Sequence, residues 1–178
     1  VGSEMCIRDS FIKEDAIKVF DCEFGTFAPM GYDVGNIIAN MIFAYVNGLA
    51  YGKEDFCKWV LETIRDIVDS FVEKFNKKYD ETATEPMAKV KGFKEYYLDS
   101  ILSDTAGYAG TELHRRTVGM ANVVDVTTIE NTEKRILAER INILTGKDYI
   151  INHRKFRKGK DFMEAVLKAV EVAKNWRA

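Results

Sequence analysis

Two acidic residues, Asp21 and Glu23, stand where a predicted strand ends. The preceding segment, Ala16–Asp21, alternates apolar and polar residues, as a short β-strand does. Residues two apart in a strand point to the same side, so both carboxylates can converge on one cation. Mg²⁺ prefers oxygen ligands and is usually held by one or two carboxylates together with phosphates. The spacing therefore predicts a magnesium site, and the alternative is two solvated acids at a strand end.

Two further charged positions could serve a site. Asp33 precedes a segment with helical periodicity and is a candidate helix N-cap, because its carboxylate can accept hydrogen bonds from free backbone N–H groups. Arg115 and Arg116 lie side by side in a helical stretch, where adjacent residues point about 100° apart. From spacing alone, the pair predicts one arginine on the surface beside one arginine in a structural ion pair.

Hydrophobic periodicity predicts a mainly α fold with a short β element at its N-terminal end. Trp59 and Trp176 fall on apolar helical faces and are assigned to the core. Thr128 or Asn131 is the candidate cap of one helix, and Gly146 is its predicted end. The predicted helices cover approximately residues 34–51, 54–79, 92–124, 128–146 and 159–176.

Composition restricts the class of protein. The chain has 178 residues, of which 47% are apolar and 30% charged, as is typical of one globular domain. A net charge of -2 indicates no nucleic-acid partner, and no apolar stretch is long enough to indicate a membrane partner. The three cysteines form no CxxC pair and no disulfide framework. We therefore expect a cytoplasmic protein.

The first ten residues resemble no structural element. The stretch VGSEMCIRDS, Val1–Ser10, matches the in-frame translation of a transposase sequencing adapter at all ten positions. A signal peptide is the alternative, but no apolar segment follows. We expect residues 1–10 to be non-native, and residues 11–178 to be a fragment that begins part-way through a longer protein at about Phe11.

Two segments resemble a known family. The stretch KVFDCEFGTFAPMGYDVGNIIAN, Lys18–Asn40, resembles the D-P-E-F-A-x-x-G-P-M-G-F-D-I-G segment of the 5-methylthioribose kinases. The stretch GTELHRRTVGMANVVDV, Gly110–Val126, is similar to that family's segment with an Arg-Arg pair followed by V-G-L-A-H-V. The two segments occur in the family's order, and the helices between them fit the family's C-terminal lobe. The resemblance covers essentially residues 11–178.

This resemblance implies a fold, a reaction and a set of site residues. The fold is the C-terminal helical lobe of a protein-kinase-like enzyme of the aminoglycoside phosphotransferase and choline kinase type. Asp21 would be the principal Mg²⁺ ligand and Glu23 the second acidic group, while Arg115 and Arg116 would bind substrate and Asp33 would brace the catalytic loop. The implied reaction is ATP-dependent phosphorylation of 5-methylthioribose to its 1-phosphate in methionine salvage, by an enzyme that is a homodimer at full length.

The sequence departs from the family pattern at three positions. Cys22 stands where the family commonly has proline, Ala28 where it has glycine, and Asn122 where it has histidine, and these departures bear on the exact substrate. The H-G-D catalytic loop, with its catalytic aspartate, and the nucleotide-binding N-lobe are expected upstream of Phe11. We therefore expect residues 11–178 alone to be inactive.

Two alternatives remain open at this point. The first is another small-molecule kinase of the same fold, of the choline or aminoglycoside type, against which the Arg-Arg segment argues. The second is a non-catalytic helical interaction domain, in which Asp21 and Glu23 would not converge.

Overall fold

The computed structural model describes residues 10–19 and 27–176 and is mainly helical. A hairpin of two antiparallel strands comes first, β1 (Ser10–Lys13) and β2 (Ala16–Val19), with Ser10 opposite Val19 and Lys13 opposite Ala16. The helices that follow are α1 (Gly31–Ala50), α2 (Glu54–Thr82), α3 (Phe93–Val118), α4 (Val124–Thr127), α5 (Thr132–Ile151) and α6 (Gly159–Lys174). Short 3₁₀ turns occupy Pro86–Lys89 and His153–Lys155.

The five long helices lie approximately where the hydrophobic periodicity predicts them, although α3 ends at Val118 and α5 continues to Ile151. Helix α1 is central to their packing. Helix α1 contacts α2, α3, α4 and α5. Helix α6 packs on α2 and α5. The core-facing side of α1 is fully buried at Ile38, Ile42 and Phe43. Among the described residues, no helix is both long enough and apolar enough to cross a membrane.

Two glycines bring the start of α1 against the backbone of α3. A Cβ atom at Gly31 would lie 2.6 Å from the backbone nitrogen of Thr105, and one at Gly35 would lie 2.7 Å from the carbonyl oxygen of the same residue. Any side chain at either position would therefore force the helices apart. This contact anchors the first two turns of α1 on the helix that carries the arginine pair.

Gly146 does not end its helix, so that prediction is wrong. Helix α5 continues through it to Ile151. Gly146 faces Gly110 of α3, and a Cβ atom built at Gly146 would lie 2.9 Å from the carbonyl oxygen of Gly110. Glycine is present here because two helix backbones approach closely, which outweighs its low helix propensity. At the other end of α5, Asn131 is the cap of the two predicted candidates, since its side chain accepts a hydrogen bond from the backbone N–H of Lys134 at 3.0 Å.

The assignment of both tryptophans to the core is also wrong. Trp59 is 54% exposed and stacks on Phe56, with ring centroids 5.8 Å apart. It lies one position before Val60, and adjacent helical residues point about 100° apart, so the row that begins at Val60 is buried instead. Trp176 is 52% exposed because it lies beyond the end of α6, where the guanidinium of Arg140 is 5.8 Å from its ring centroid.

Candidate functional site

The predicted magnesium pair lies outside the described residues. Asp21 and Glu23, with Cys22 between them, fall in the stretch 20–26, so their placement stays a prediction. In residues 10–19 and 27–176, no three His, Cys, Asp or Glu side chains are grouped as a metal site would require. The described part of this region begins at Phe27 and leads through Pro29 into α1.

Asp33 does not cap helix α1, so the N-cap prediction is wrong. The helix begins two residues earlier, at Gly31, and the cap position belongs to Met30. The backbone N–H of Tyr32 donates to the carbonyl oxygen of Pro29 at 2.9 Å, which starts the turn before Asp33 is reached. Asp33 is instead an exposed acid in the first turn, where the helix dipole favours a negative charge. Its role as a brace for a catalytic loop stays a prediction.

Arg115 and Arg116 converge on a single carboxylate, that of Glu112. The Nε and Nη2 atoms of Arg115 donate to Glu112 Oε2 and Oε1, both at 2.8 Å. The Nε atom of Arg116 donates to Glu112 Oε1 at 3.1 Å. The side chain of Glu112 is only 9% exposed. Because α3 places residues three and four apart on one face, an acid at this position meets both arginines. We call these three residues the arginine–glutamate cluster.

The two arginines of the cluster differ in exposure. The side chain of Arg116 is 7% exposed, and its Nη1 atom donates to the carbonyl oxygen of Ala121 at 3.3 Å. This contact ties the end of α3 to the loop that follows it. The side chain of Arg115 is 47% exposed. The expectation of one surface arginine and one ion-paired arginine is therefore met only in part, since the half-exposed Arg115 and the buried Arg116 pair with the same acid.

Arg115 also connects the cluster to the first turn of α1. The hydrogen bonds that Arg115 donates to Glu112 raise the pKa of Arg115, burial opposes that shift, and the nearby Tyr32 phenol adds to it. Tyr32 packs edge-on against Tyr108 of α3, with ring centroids 5.2 Å apart. Because this ring contact joins the two helices, the first turn of α1, which includes Asp33, lies against α3.

The cluster has the chemistry of an anion or polyol site. Two guanidinium groups and one carboxylate leave a net positive charge, and arginine keeps that charge at any physiological pH. Planar guanidinium groups donate paired hydrogen bonds to phosphate oxygens. Sequence reasoning missed Glu112, although an acid three and four residues before two arginines on a predicted helix is a recognisable pairing signal.

Comparison with curated proteins gives consistent relatives. The chain is 34% identical over 145 residues to a protein named methylthioribose kinase from Pectobacterium carotovorum subsp. carotovorum (strain PC1), a match that covers 79% of this chain. This chain is similar to the methylthioribose kinases. It is also 36% identical over 140 residues, again 79% of the chain, to the protein of that name from Bacillus cereus (strain B4264). The match to the one from Escherichia coli O45:K1 (strain S88 / ExPEC) is 29% over 170 residues and covers 87% of the chain.

The resemblance noted in the two sequence segments is thus confirmed over most of the chain. The chain spans 36% of the length of the Pectobacterium relative, 35% of the Bacillus cereus relative and 40% of the Escherichia coli relative. No protein-family model matches the chain.

Proposed function

We propose that this chain is part of a methylthioribose kinase. The complete enzyme would transfer the γ-phosphoryl group of ATP to the anomeric hydroxyl of 5-methylthioribose, in methionine salvage. The observation that carries the proposal is the similarity to proteins of that name over 79% of the chain. A continuous match of that extent must include the middle of a 178-residue chain, where Arg115 and Arg116 lie. The fold proposed with it is the C-terminal lobe of a protein-kinase-like enzyme.

In this proposal Arg115 and Arg116 bind the substrate. The half-exposed Arg115 would contact the ligand directly, and the buried Arg116 would hold the end of α3 and its following loop in place through Ala121. Guanidinium groups suit a sugar that receives a phosphoryl group, because they donate to hydroxyl oxygens and stabilise the charge on the transferred group. Positioning and charge stabilisation account for most of the catalysis of phosphoryl transfer.

Asp21 and Glu23 would hold Mg²⁺, and ATP would be the co-substrate. The donor set fits this ion, because two carboxylates supply the oxygen ligands that Mg²⁺ prefers. When bound, the ion would neutralise charge on the nucleotide phosphates. Asp33 would accept backbone hydrogen bonds from the catalytic loop, a role that fits an exposed carboxylate in the first turn of α1. The complete enzyme is proposed to be a cytoplasmic homodimer, and residues 11–178 alone to be inactive.

The test is an activity assay on the full-length protein from which this chain derives. Purified protein is given ATP and Mg²⁺ with 5-methylthioribose, choline or an aminoglycoside, and ADP release is followed. We expect turnover with methylthioribose only, loss of turnover when EDTA removes Mg²⁺, and a product whose phosphorus NMR signal is that of a sugar 1-phosphate. Turnover with choline or an aminoglycoside in place of methylthioribose would assign the chain to another kinase of the same fold. No turnover with any of the three would overturn the kinase proposal.

A further inference from the structure

Glu112 is the point at which the two arginines of the cluster meet. Its Oε1 atom accepts hydrogen bonds from both residues, from Arg115 at 2.8 Å and from Arg116 at 3.1 Å, while its Oε2 atom accepts a second bond from Arg115. The side chain of Glu112 is 9% exposed. A buried charge of this kind is costly unless it is paired, and here both of its partners are cations that the proposed function assigns to the substrate.

The pattern of contacts determines which guanidinium atoms remain for a ligand. Glu112 occupies Nε and Nη2 of Arg115, in the forked geometry that fixes the plane of a guanidinium. Arg116 is held at Nε by Glu112 and at Nη1 by the carbonyl oxygen of Ala121. Within the described residues, no contact occupies Nη1 of Arg115 or Nη2 of Arg116. Only Arg115 is substantially exposed, at 47% against 7% for Arg116, so its Nη1 atom is the one that remains accessible to a ligand.

The carboxylate also reduces the repulsion between two adjacent cations. Without it, Arg115 and Arg116 would be like charges on neighbouring residues, one of them buried at 7% exposure. Like charges at short range in a partly buried site repel strongly, because little water screens them. With Glu112 between them, both side chains can be held at the same end of α3.

We propose that Glu112 is a positioning residue that orients the half-exposed Arg115 so that its remaining Nη1 atom faces the substrate, while the same carboxylate pairs with the buried Arg116. This inference rests on the proposed function, because it takes the arginine pair to bind methylthioribose. Glu112 itself touches no substrate and acts through the two guanidinium groups.

The test uses Glu112→Gln in the full-length protein, with kcat and KM followed separately for methylthioribose and ATP. Glutamine keeps the shape but removes the charge, and its amide nitrogen cannot accept from an arginine. We expect kcat/KM for methylthioribose to fall roughly 10- to 100-fold while KM for ATP changes little. The control is Glu139→Gln, which removes the acid from a single, more exposed ion pair on α5, where Arg135 Nε donates to Glu139 at 2.9 Å. That variant should keep wild-type kinetics.

A double-mutant cycle tests whether Glu112 acts through its partner. If it does, Glu112→Gln should have a much smaller effect in an Arg115→Ala background than in the wild type. Should Glu112→Gln fail to fold, Glu112→Asp retains the charge on a shorter side chain that cannot reach both arginines. We expect an intermediate loss of kcat/KM for methylthioribose from that variant.

The outcomes separate this inference from the function on which it rests. A wild-type protein that does not phosphorylate methylthioribose would overturn both. An active wild type whose folded Glu112→Gln and Glu112→Asp variants keep full kcat/KM would overturn only the role of Glu112. The role of Glu112 is also overturned if Glu112→Gln lowers the melting temperature but leaves the kinetics unchanged, because the residue would then be merely structural. It is overturned as well if Glu112→Gln has the same kinetic effect with and without Arg115.

Discussion

Two glycines of helix α3 should respond in opposite directions to substitution by alanine. Gly107 has open space around it, since a Cβ atom built there has no neighbouring atom within 4 Å in the part of the chain that the structure describes. Gly110, less than one turn later, faces α5, where a Cβ atom would lie 2.7 Å from the carbonyl oxygen of Gly146 and 2.8 Å from Cγ1 of Ile150. Both positions are interior to the same helix, so their intrinsic helix propensities match and only the tertiary contact differs.

The expected magnitudes follow from this geometry. Alanine in place of glycine inside a helix gains roughly 0.5–1 kcal/mol, chiefly by restricting the unfolded chain. At Gly107 nothing opposes that gain. At Gly110 the new methyl group meets a backbone oxygen that can move only if α3 and α5 separate, and overpacking of this kind costs about 1–3 kcal/mol. We expect Gly107→Ala to stabilise the protein and Gly110→Ala to destabilise it by about 1 kcal/mol net.

The assay is thermal and urea unfolding of the wild type and both variants under the same conditions. For a chain of this size, 1 kcal/mol corresponds to a shift of about 2–4 °C in the melting temperature. Gly107→Ala should raise that temperature and Gly110→Ala should lower it, with unchanged urea m-values. If Gly110→Ala is as stabilising as Gly107→Ala, the two helix backbones do not approach as closely as the structure indicates, and the explanation given for Gly146 fails with it.

Three further predictions concern the proposed site and the core. In the full-length protein, Asp21→Asn should lower kcat by at least ~10³-fold, because Mg²⁺ would lose a carboxylate ligand and the phosphate charge would be poorly neutralised. A wild-type kcat in this variant would show that Asp21 is not a metal ligand. Arg115→Ala and Arg116→Ala should each lower kcat/KM for methylthioribose roughly 10- to 150-fold, and lysine at either position should restore little of it. Arg135→Ala on α5 is the control and should keep wild-type kinetics. If the folded Arg115→Ala and Arg116→Ala variants also keep wild-type kcat/KM, the pair is structural. Burial raises the pKa of Tyr149 well above 10.0, so the folded state keeps the phenol proton that the unfolded state loses. The free energy of unfolding should then fall as pH rises above about 10, and Tyr149→Phe should lessen that pH dependence in urea titrations. If the free energy of unfolding of Tyr149→Phe falls as steeply with pH as that of the wild type, the pKa of Tyr149 is not the cause.

Local sequence patterns were sufficient to predict the helices and to recognise the similarity to methylthioribose kinases. Apolar residues at three-to-four spacing predict the five long helices, because burial of one face dominates where a helix forms. The Asn131 cap is likewise local, since its side chain bonds a backbone group three residues away. The Arg-Arg motif indicated the kinases to which the chain proves similar.

Local pattern failed where a second element decides the outcome. Asp33 is a good N-cap by residue type, yet the contact of Gly31 with α3 and the turn at Pro29 start the helix before it. Trp59 is apolar by type, but the neighbouring Val60 is the one that faces the core. In both cases the residue's own preference is worth less free energy than the packing of its neighbours.

The sequence by itself therefore determined the mainly helical fold, the approximate helix positions and the arginine pair, because these depend on residues close together in the chain. Only the tertiary structure decided that Gly146 lies inside a helix, because its reason for being glycine is the carbonyl oxygen of Gly110, 36 positions away along the chain. Only the tertiary structure decided that Arg116 is buried while its neighbour Arg115 is half-exposed, because burial depends on how α3 packs in the fold. Spacing along one helix brings charges together, but the surrounding helices decide which of those charges remain accessible to a ligand.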